Sequence, residues 1–211
     1  MVVRTSLWLV RHGQTQSNLE HRYQGRTDSP LTAYGQQQLA ALAARLRRIP
    51  FTATLASPAS RTQQTAQAIL EGRRGATLHL DARWAEIDHG SWEGLTYQEV
   101  MERDPDDAQA RWSDALHGRA RGGESLAELH ARVTEAWHAL LQDHTGGRVL
   151  LVTHATPIQL LLCTCLGLEP VRHWNWRIDL GSLTCLDLYP SGVIIRMVNE
   201  VPRLRIDHDA A

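Results

Sequence analysis

Lysine is absent from this sequence of 211 residues, because all 22 of its basic residues are arginines. The absence excludes a Walker A phosphate-binding loop and Schiff-base chemistry, since each requires a lysine side chain. Any anionic ligand must therefore be bound by guanidinium groups, by helix amino-terminal ends or by histidines. The net charge of −1 argues against nucleic acid or an anionic membrane as the main partner.

Cysteine is also scarce. The three cysteines, Cys163, Cys165 and Cys185, form no disulfide framework, which is typical of reduced thiols in a cytoplasm. None has an arginine six residues later, so a Cys-x5-Arg catalytic loop is missing. Neither Cys-x-x-Cys nor His-Glu-x-x-His occurs, so we find no zinc motif and expect no metal and no cofactor.

Long hydrophobic runs are missing as well. The first apolar run ends at Arg11, so we expect no signal peptide, and the apolar stretch at 160–168 is too short to cross a bilayer. The hydrophobic fraction of 43% is nevertheless sufficient for a sizeable core. This composition predicts a cytoplasmic globular protein with a single domain over residues 1–211.

Short apolar strands alternate with amphipathic helices along the chain. This alternation predicts an α/β fold, a three-layer α/β/α sandwich with a mostly parallel central sheet. Apolar runs predict strands at 5–10, 53–56, 77–80 and 148–153, and a closing hairpin at 182–188 and 193–198.

Capping signals mark where two helices begin. Ser125 with Glu128 forms a capping box. Ser57-Pro58 predicts a second start, with Ser57 as the capping side chain and Pro58 at the first helical position. Arg61 then lies in the first turn, where a cation is favourable only if it faces a bound anion.

Residues 95–117 have the pattern of two short helices broken at Pro105, and we take about 95–123 as a helical insertion on the sheet. Trp112 is the expected anchor of these helices. We expect four other tryptophans to be buried or partly buried: Trp84, Trp92, Trp174 and Trp176.

Two histidines, His12 and His154, each follow directly after a predicted strand. The carboxyl ends of neighbouring parallel strands meet at one sheet edge, so we expect the pair to share a pocket with Arg11 and Arg61. Such a pocket suits a phosphoryl group, because guanidinium forks match phosphate oxygens. One histidine can then be the nucleophile, and Glu86, in a glycine-flanked loop, is the candidate proton donor. Two other carboxylates compete for that last role: Asp88 and Glu93.

A series of short motifs runs through the chain. They are Leu9-Val10-Arg11-His12-Gly13-Gln14-Thr15, Ser57-Pro58 with Arg61, Glu86 with Gly90-Ser91-Trp92-Glu93-Gly94, Gly122-Gly123-Glu124-Ser125 and Val152-Thr153-His154. In this order they resemble the histidine phosphatase superfamily, in its phosphoglycerate-mutase-like branch, over about residues 5–190. The resemblance implies that His12 becomes phosphohistidine, that Arg11, Arg61 and His154 hold the phosphoryl oxygens, and that Glu86 donates the proton.

The same resemblance implies further phosphate or substrate contacts. Asn18 and Gln24, the latter followed by Gly25, stand where the family places additional polar contacts. Ala155 departs from the family, since many members have glycine after the second histidine. His89, with the residues that follow it, is similar to the metal-independent phosphoserine phosphatases of this superfamily. That likeness implies that His89 and the Arg11 region bind the substrate's carboxylate.

The resemblance therefore implies metal-independent hydrolysis of a small phosphorylated metabolite, with L-phosphoserine as the favoured substrate. The basic and aromatic segment of cofactor-dependent phosphoglycerate mutases is not found between Leu95 and Gly123, which favours hydrolysis. Other readings stay open: a cofactor-dependent mutase, a non-catalytic module that binds a phospho-ligand, a metal-dependent hydrolase, or a phosphatase for α-ribazole phosphate or sugar phosphates. Pairing of two copies into a homodimer, through the hairpin edge or an apolar helix face, also stays open.

Overall fold

A computed structural model describes residues 3–204 of the chain, and within them six strands form one sheet. The strands are β1 (Thr5–Arg11), β2 (Ala53–Ala56), β3 (Leu78–Leu80), β4 (Arg148–Thr153), β5 (Leu183–Tyr189) and β6 (Gly192–Glu200). They lie in the order β3-β2-β4-β1-β5-β6. The first four pair in parallel, whereas β5 and β6 are antiparallel. The predicted mostly parallel sheet with a closing hairpin is therefore confirmed.

Helices cover both faces of this sheet. They are α1 (Gln16–Leu19), α2 (Ala33–Leu46), α3 (Ser60–Leu70), α4 (Tyr97–Arg103), α5 (Pro105–Ser113), α6 (Leu126–Asp143) and α7 (Ala155–Leu166). The apolar residues of α2 and α3 form the core on one face, and those of α6 and α7 form it on the other. The predicted three-layer sandwich is confirmed.

The residues of β1 show why both faces need cover. Leu7 and Leu9 belong to the core under α6 and α7, whereas Trp8 and Val10 belong to the core under α2 and α3. Successive side chains of a strand point to opposite faces, so an apolar run without alternation requires burial on both sides. β1 also pairs in register with β4, with Arg11 opposite Thr153. The histidines that follow these two strands therefore leave the same sheet edge.

Local sequence signals predicted the start of α6 correctly and the start of α3 wrongly. The capping box at α6 forms as predicted, because the Ser125 side chain accepts from the Glu128 N–H and Glu128 accepts from the Ser125 N–H. The prediction that Ser57 caps a helix is wrong, since α3 begins at Ser60 with Ala59 at the cap position. The Ser57 hydroxyl lies instead against a catalytic candidate, as described below. The short helix α1 follows Thr15, whose side chain caps it by accepting from the Asn18 N–H.

The two short helices of the 95–117 segment, α4 and α5, meet at Pro105 as predicted. Trp112 stacks on Tyr97 at a ring-centroid distance of 5.2 Å, although 43% of its surface is exposed. The prediction of burial fails for Trp174, which is 77% exposed because it lies on the surface turn Pro170–Asn175. Trp84 and Trp92 are buried, and Trp176 is partly buried.

The three cysteines form no disulfide within residues 3–204. All three are free thiols, and Cys163 and Cys185 are buried. Burial raises the pKa of Cys165 to about 12, so little of that thiol ionises at neutral pH. Within residues 3–204, no helix has both the length and the apolar composition to cross a bilayer.

Candidate active site

His12 is a buried, neutral imidazole with one nitrogen free to react. Its Nδ1 lies 2.8 Å from the Gly13 carbonyl oxygen. A carbonyl only accepts hydrogen bonds, so Nδ1 carries the proton and Nε2 keeps its lone pair. Burial lowers the pKa of His12 well below its usual value, and the charges of Arg61 and Arg11 lower it further. A neutral imidazole with a free Nε2 lone pair has the form that a nucleophile requires.

His154 stands beside His12, with a ring-centroid distance of 5.2 Å, as predicted from the two strands. Its Nε2 lies 2.8 Å from Ser57 Oγ, and its Nδ1 lies 3.3 Å from a terminal nitrogen of Arg61. Because a guanidinium only donates, Nδ1 accepts there and Nε2–H donates to Ser57. Burial and the charge of Arg61 lower the pKa of His154. Ser57 thus positions the His154 ring, although its sequence pattern predicts a helix cap.

Two guanidinium groups complete a cationic cluster with these rings. Arg61 is fully buried and donates to the carbonyl oxygens of Gly25 at 2.7 Å and Thr27 at 3.0 Å. Arg11 donates through Nη1 to the Ile178 carbonyl at 2.7 Å, which leaves its other terminal nitrogen available for a ligand. Burial lowers the pKa of both arginines. Buried cations of this kind are stabilised by a bound anion, and phosphate matches their geometry.

Glu86 is buried in the same region without forming an ion pair with either arginine within the described residues. One carboxylate oxygen accepts from the Ile87 N–H at 2.9 Å, and the other faces the Thr156 N–H at 3.4 Å in the first turn of α7. Its charge raises the pKa of both Arg11 and Arg61, opposing the larger effect of burial. This carboxyl group is therefore close to the cationic cluster.

The two competing carboxylates are engaged elsewhere. Asp88 accepts from the Gly90 N–H at 2.8 Å. Glu93 accepts from the N–H groups of Arg26 at 2.6 Å and Thr27 at 2.7 Å. Burial raises the pKa of Glu93, but these hydrogen bonds outweigh it and leave the pKa below the usual value. Both side chains organise loops, so Glu86 is the best placed of the three.

Arg132 is a positioning residue that the sequence did not reveal. It donates to the Ala85 carbonyl at 2.8 Å and the Glu86 carbonyl at 2.9 Å, and it pairs with Glu124 at 2.7 Å. These contacts fix the two backbone carbonyl groups that precede and follow the Cα of Glu86. An arginine on the polar side of an amphipathic helix carries no signal of such a role, because solvated arginines are common there.

The other predicted contacts lie around this cluster. The carbonyl oxygen of Gly25 accepts a hydrogen bond from Arg61. A Cβ at Gly25 would lie only 2.1 Å from the Ile87 carbonyl oxygen, so glycine permits the close contact of the two loops. The side-chain oxygens of Asn18 and Gln24 lie 2.9 and 2.7 Å from Thr15 Oγ1. The His89 ring lies against Tyr23 in a tilted arrangement, with a centroid distance of 4.9 Å, and Ala155 is the half-buried first residue of α7. Within residues 3–204, no group of three or more His, Cys, Asp or Glu side chains could hold a metal ion.

Comparison with known proteins defines the class to which this fold and site belong. The profile of the histidine phosphatase superfamily (branch 1) matches residues 7–201, and the chain belongs to that family. It is therefore a phosphatase, a hydrolase of the histidine phosphatase superfamily.

Particular relatives carry different names. The chain is 34% identical over 194 residues to phosphoserine phosphatase 1 of Hydrogenobacter thermophilus, covering 92% of this chain and 91% of the relative. It is 35% identical over 203 residues to the probable phosphoglycerate mutase GpmB of an Enterobacter species, covering 94% of both chains. Among solved structures, a putative α-ribazole-5'-P phosphatase from Escherichia coli superposes with a TM-score of 0.88 at 29% identity, covering 94% of this chain and 97% of that one.

The neutral state of His12 predicts that acid destabilises the fold. Below pH 6.5 the unfolded chain protonates this histidine, whereas the folded chain does not until its lowered pKa is reached. The unfolded state then binds more protons, so the free energy of unfolding falls as pH falls, by up to about 1.4 kcal/mol per pH unit for one such group. Urea unfolding of wild type and His12→Gln between pH 7.5 and 5.5 measures the contribution. We expect a shallower pH slope in the variant, and equal slopes would contradict the assignment.

Proposed function

We propose that this protein hydrolyses a small phosphorylated metabolite, with L-phosphoserine as the preferred candidate, through a phosphohistidine on His12 and without a metal ion. The observation that carries the proposal is the free Nε2 of a neutral His12 inside a cluster formed by His154, Arg11 and Arg61. Positioning and charge neutralisation are the main requirements of phosphoryl transfer, and this cluster supplies both.

The first half of the reaction forms the covalent intermediate. Nε2 of His12 attacks phosphorus in line, and the phosphorus–oxygen bond of the ester breaks. Glu86 gives its proton to the departing alkoxide oxygen. The phosphoryl oxygens lie against Arg11 and Arg61, whose positive charge and N–H donors stabilise them, and beside the ring of His154.

The second half returns the enzyme to its starting state. The Glu86 carboxylate takes a proton from water, and the water oxygen attacks phosphorus. The phosphorus–nitrogen bond breaks, and its electron pair returns to Nε2 of His12. Inorganic phosphate is released, and Glu86 is again protonated.

The choice of L-phosphoserine is supported by two observations. The relative from Hydrogenobacter thermophilus is named a phosphoserine phosphatase and is similar along nearly its whole length. His89, the residue that carries the sequence likeness to such enzymes, lies close enough to Glu86 for that charge to raise its pKa, although burial lowers it more. The cytoplasmic location and the single domain stay predictions. Homodimer formation stays an open possibility.

Phosphoglycerate mutase activity is the second candidate, favoured by the likeness to GpmB. Phosphate release from L-phosphoserine, 3-phosphoglycerate, α-ribazole phosphate and p-nitrophenyl phosphate, measured in EDTA, tests both candidates. We expect metal-free turnover with the highest kcat/KM for L-phosphoserine. Conversion of 3-phosphoglycerate to its 2-isomer with bisphosphate present, without phosphate release, would identify a mutase. Binding without either activity would identify a non-catalytic module.

A further inference from the structure

The turn at residues 178–182, which leads into β5, contacts two residues of the catalytic cluster. The carbonyl oxygen of Ile178 accepts a hydrogen bond from Nη1 of Arg11 at 2.7 Å. The N–H of Gly181 donates to the carbonyl oxygen of His12 at 3.0 Å. Whatever fixes this turn therefore also fixes the groups around the nucleophile.

The guanidinium of Arg11 depends on this turn more than on any other part of the described chain. Within residues 3–204 its one side-chain hydrogen bond is the one to Ile178, and it forms no ion pair there. Its Nε is buried and has no hydrogen-bond partner among the same residues. A long side chain that is held at one point takes its direction from that point, so the Ile178 carbonyl decides where Arg11 points.

A bulge in the edge strand β6 places an amide side chain beside the turn. Leu183 pairs with Glu200 and Cys185 with Met197, so two residues of β6 stand opposite one residue of β5. Asn199, one of those two, has a φ of 58°, which is foreign to a strand but which asparagine tolerates better than most residues. A bulge re-aims a side chain out of the regular strand pattern, and Asn199 is so placed.

The amide of Asn199 makes two hydrogen bonds to Asp179. Its Oδ1 accepts from the Asp179 N–H at 2.6 Å, and its Nδ2 donates to the Asp179 carboxylate at 2.9 Å. That N–H belongs to the same peptide group as the Ile178 carbonyl. In a trans peptide the N–H and the C=O point in opposite directions, so Asn199 holds one side of a planar group whose other side holds Arg11.

We propose that Asn199 is a positioning residue, which holds the 178–179 peptide so that Arg11 points at the phosphoryl group. The inference rests on the proposed function, because that function assigns Arg11 to the phosphoryl oxygens. A displacement of about 1 Å caused by a change far from the chemistry can lower the rate about 100-fold. The last strand of the sheet therefore acts on the reaction through a single peptide group.

Asn199→Gly tests this role, because glycine adopts the same positive φ without strain and lacks only the amide. We expect kcat/KM for p-nitrophenyl phosphate to fall about 10- to 100-fold. Orthophosphate should bind about 10-fold more weakly, since its charge-assisted contact with Arg11 is misaligned. The matched control is Arg177→Gln, which removes an exposed ion pair with the same Asp179 carboxylate. The control should change kcat/KM less than about 3-fold, because exposed ion pairs contribute little.

Two combined variants distinguish positioning from a general loss of structure. In Asn199→Asp two carboxylates face each other, whereas Asn199→Asp with Asp179→Asn restores the pair with its partners exchanged. We expect the exchanged pair to recover most of the activity that Asn199→Asp loses. On an Arg11→Gln background, Asn199→Gly should have little further effect, because the residue through which it acts is gone. On the Arg177→Gln background it should keep its full effect.

Calorimetry with orthophosphate separates this inference from the proposed function. Weaker binding caused by Asn199→Gly in the wild type, but not in Arg11→Gln, would support the inference even if the wild type hydrolysed no phosphomonoester. That absence of hydrolysis would overturn the phosphatase proposal alone, and a wild type that binds no orthophosphate would overturn both. Equal losses in the two backgrounds, no recovery in the exchanged pair, or an unchanged Asn199→Gly would overturn the role of Asn199.

Discussion

Replacing His12 with alanine should abolish phosphate release, lowering kcat by about 10⁴-fold or more, because the side chain that accepts the phosphoryl group is gone. Every other group in the cluster is a donor or a cation, and His154 uses both ring nitrogens in contacts with Ser57 and Arg61. No neighbour can replace the lost nucleophile. The fold should survive, because the His12 ring makes one hydrogen bond, to the adjacent Gly13 carbonyl.

The measurement combines turnover and trapping. Phosphate release is followed in EDTA with wild type, His12→Ala and the control His138→Ala, which removes an exposed histidine on α6. Quenching wild type in alkali during turnover of labelled substrate should trap a phosphoprotein that is stable to base and labile to acid, and that is missing from His12→Ala. Activity that survives the mutation, or that EDTA removes and Zn²⁺ or Mn²⁺ restores, would replace this mechanism with a metal-dependent one.

The second large effect is expected at Glu86, and its size should depend on the leaving group. Glu86→Gln keeps the shape of the side chain but cannot donate a proton to an alkoxide, so kcat/KM for L-phosphoserine should fall about 10²- to 10⁴-fold. p-Nitrophenolate is a stable anion that leaves without a proton. Formation of the phosphohistidine from p-nitrophenyl phosphate should therefore be much less affected.

Because Glu86 is also the proposed base toward water, the variant should hydrolyse its intermediate slowly. Rapid mixing of Glu86→Gln with p-nitrophenyl phosphate should give a burst of p-nitrophenolate, close to one equivalent, followed by slow turnover. Glu135→Gln, at an exposed position on α6 with 70% of its side chain accessible, is the control. The same leaving-group dependence in Asp88→Asn, with none in Glu86→Gln, would move the acid role to Asp88.

The sequence predicted the sheet and the central cluster for a common reason. Apolar runs with no alternation identified β1 and β4, and the residue directly after each run is one of the paired histidines. Strand periodicity and parallel pairing are local consequences of the chain, so the meeting of His12 and His154 follows from them. Arg61 lies in the first turn of α3 as the Ser57-Pro58 signal predicted, although that helix begins at Ser60 and not at Pro58.

What the sequence could not predict depends on contacts between distant segments. Ser57 precedes proline and has the pattern of a helix cap, but its hydroxyl binds a ring almost a hundred residues later in the chain. Arg132 supports the Glu86 loop from another helix. Trp174 was expected to be buried on composition alone, although its turn lies on the surface. Such pairings depend on tertiary packing, which overrides local preference.

The fully buried Arg61, tied to two carbonyl oxygens and one imidazole, has a consequence for the end of the catalytic cycle. The group that leaves last, orthophosphate, has the same charge and oxygen geometry as the group that the cluster attracts at the start. A site that neutralises the incoming dianion so fully also slows the departure of the outgoing one. Orthophosphate should therefore compete with the substrate, so a rise in the cellular phosphate concentration should inhibit this enzyme.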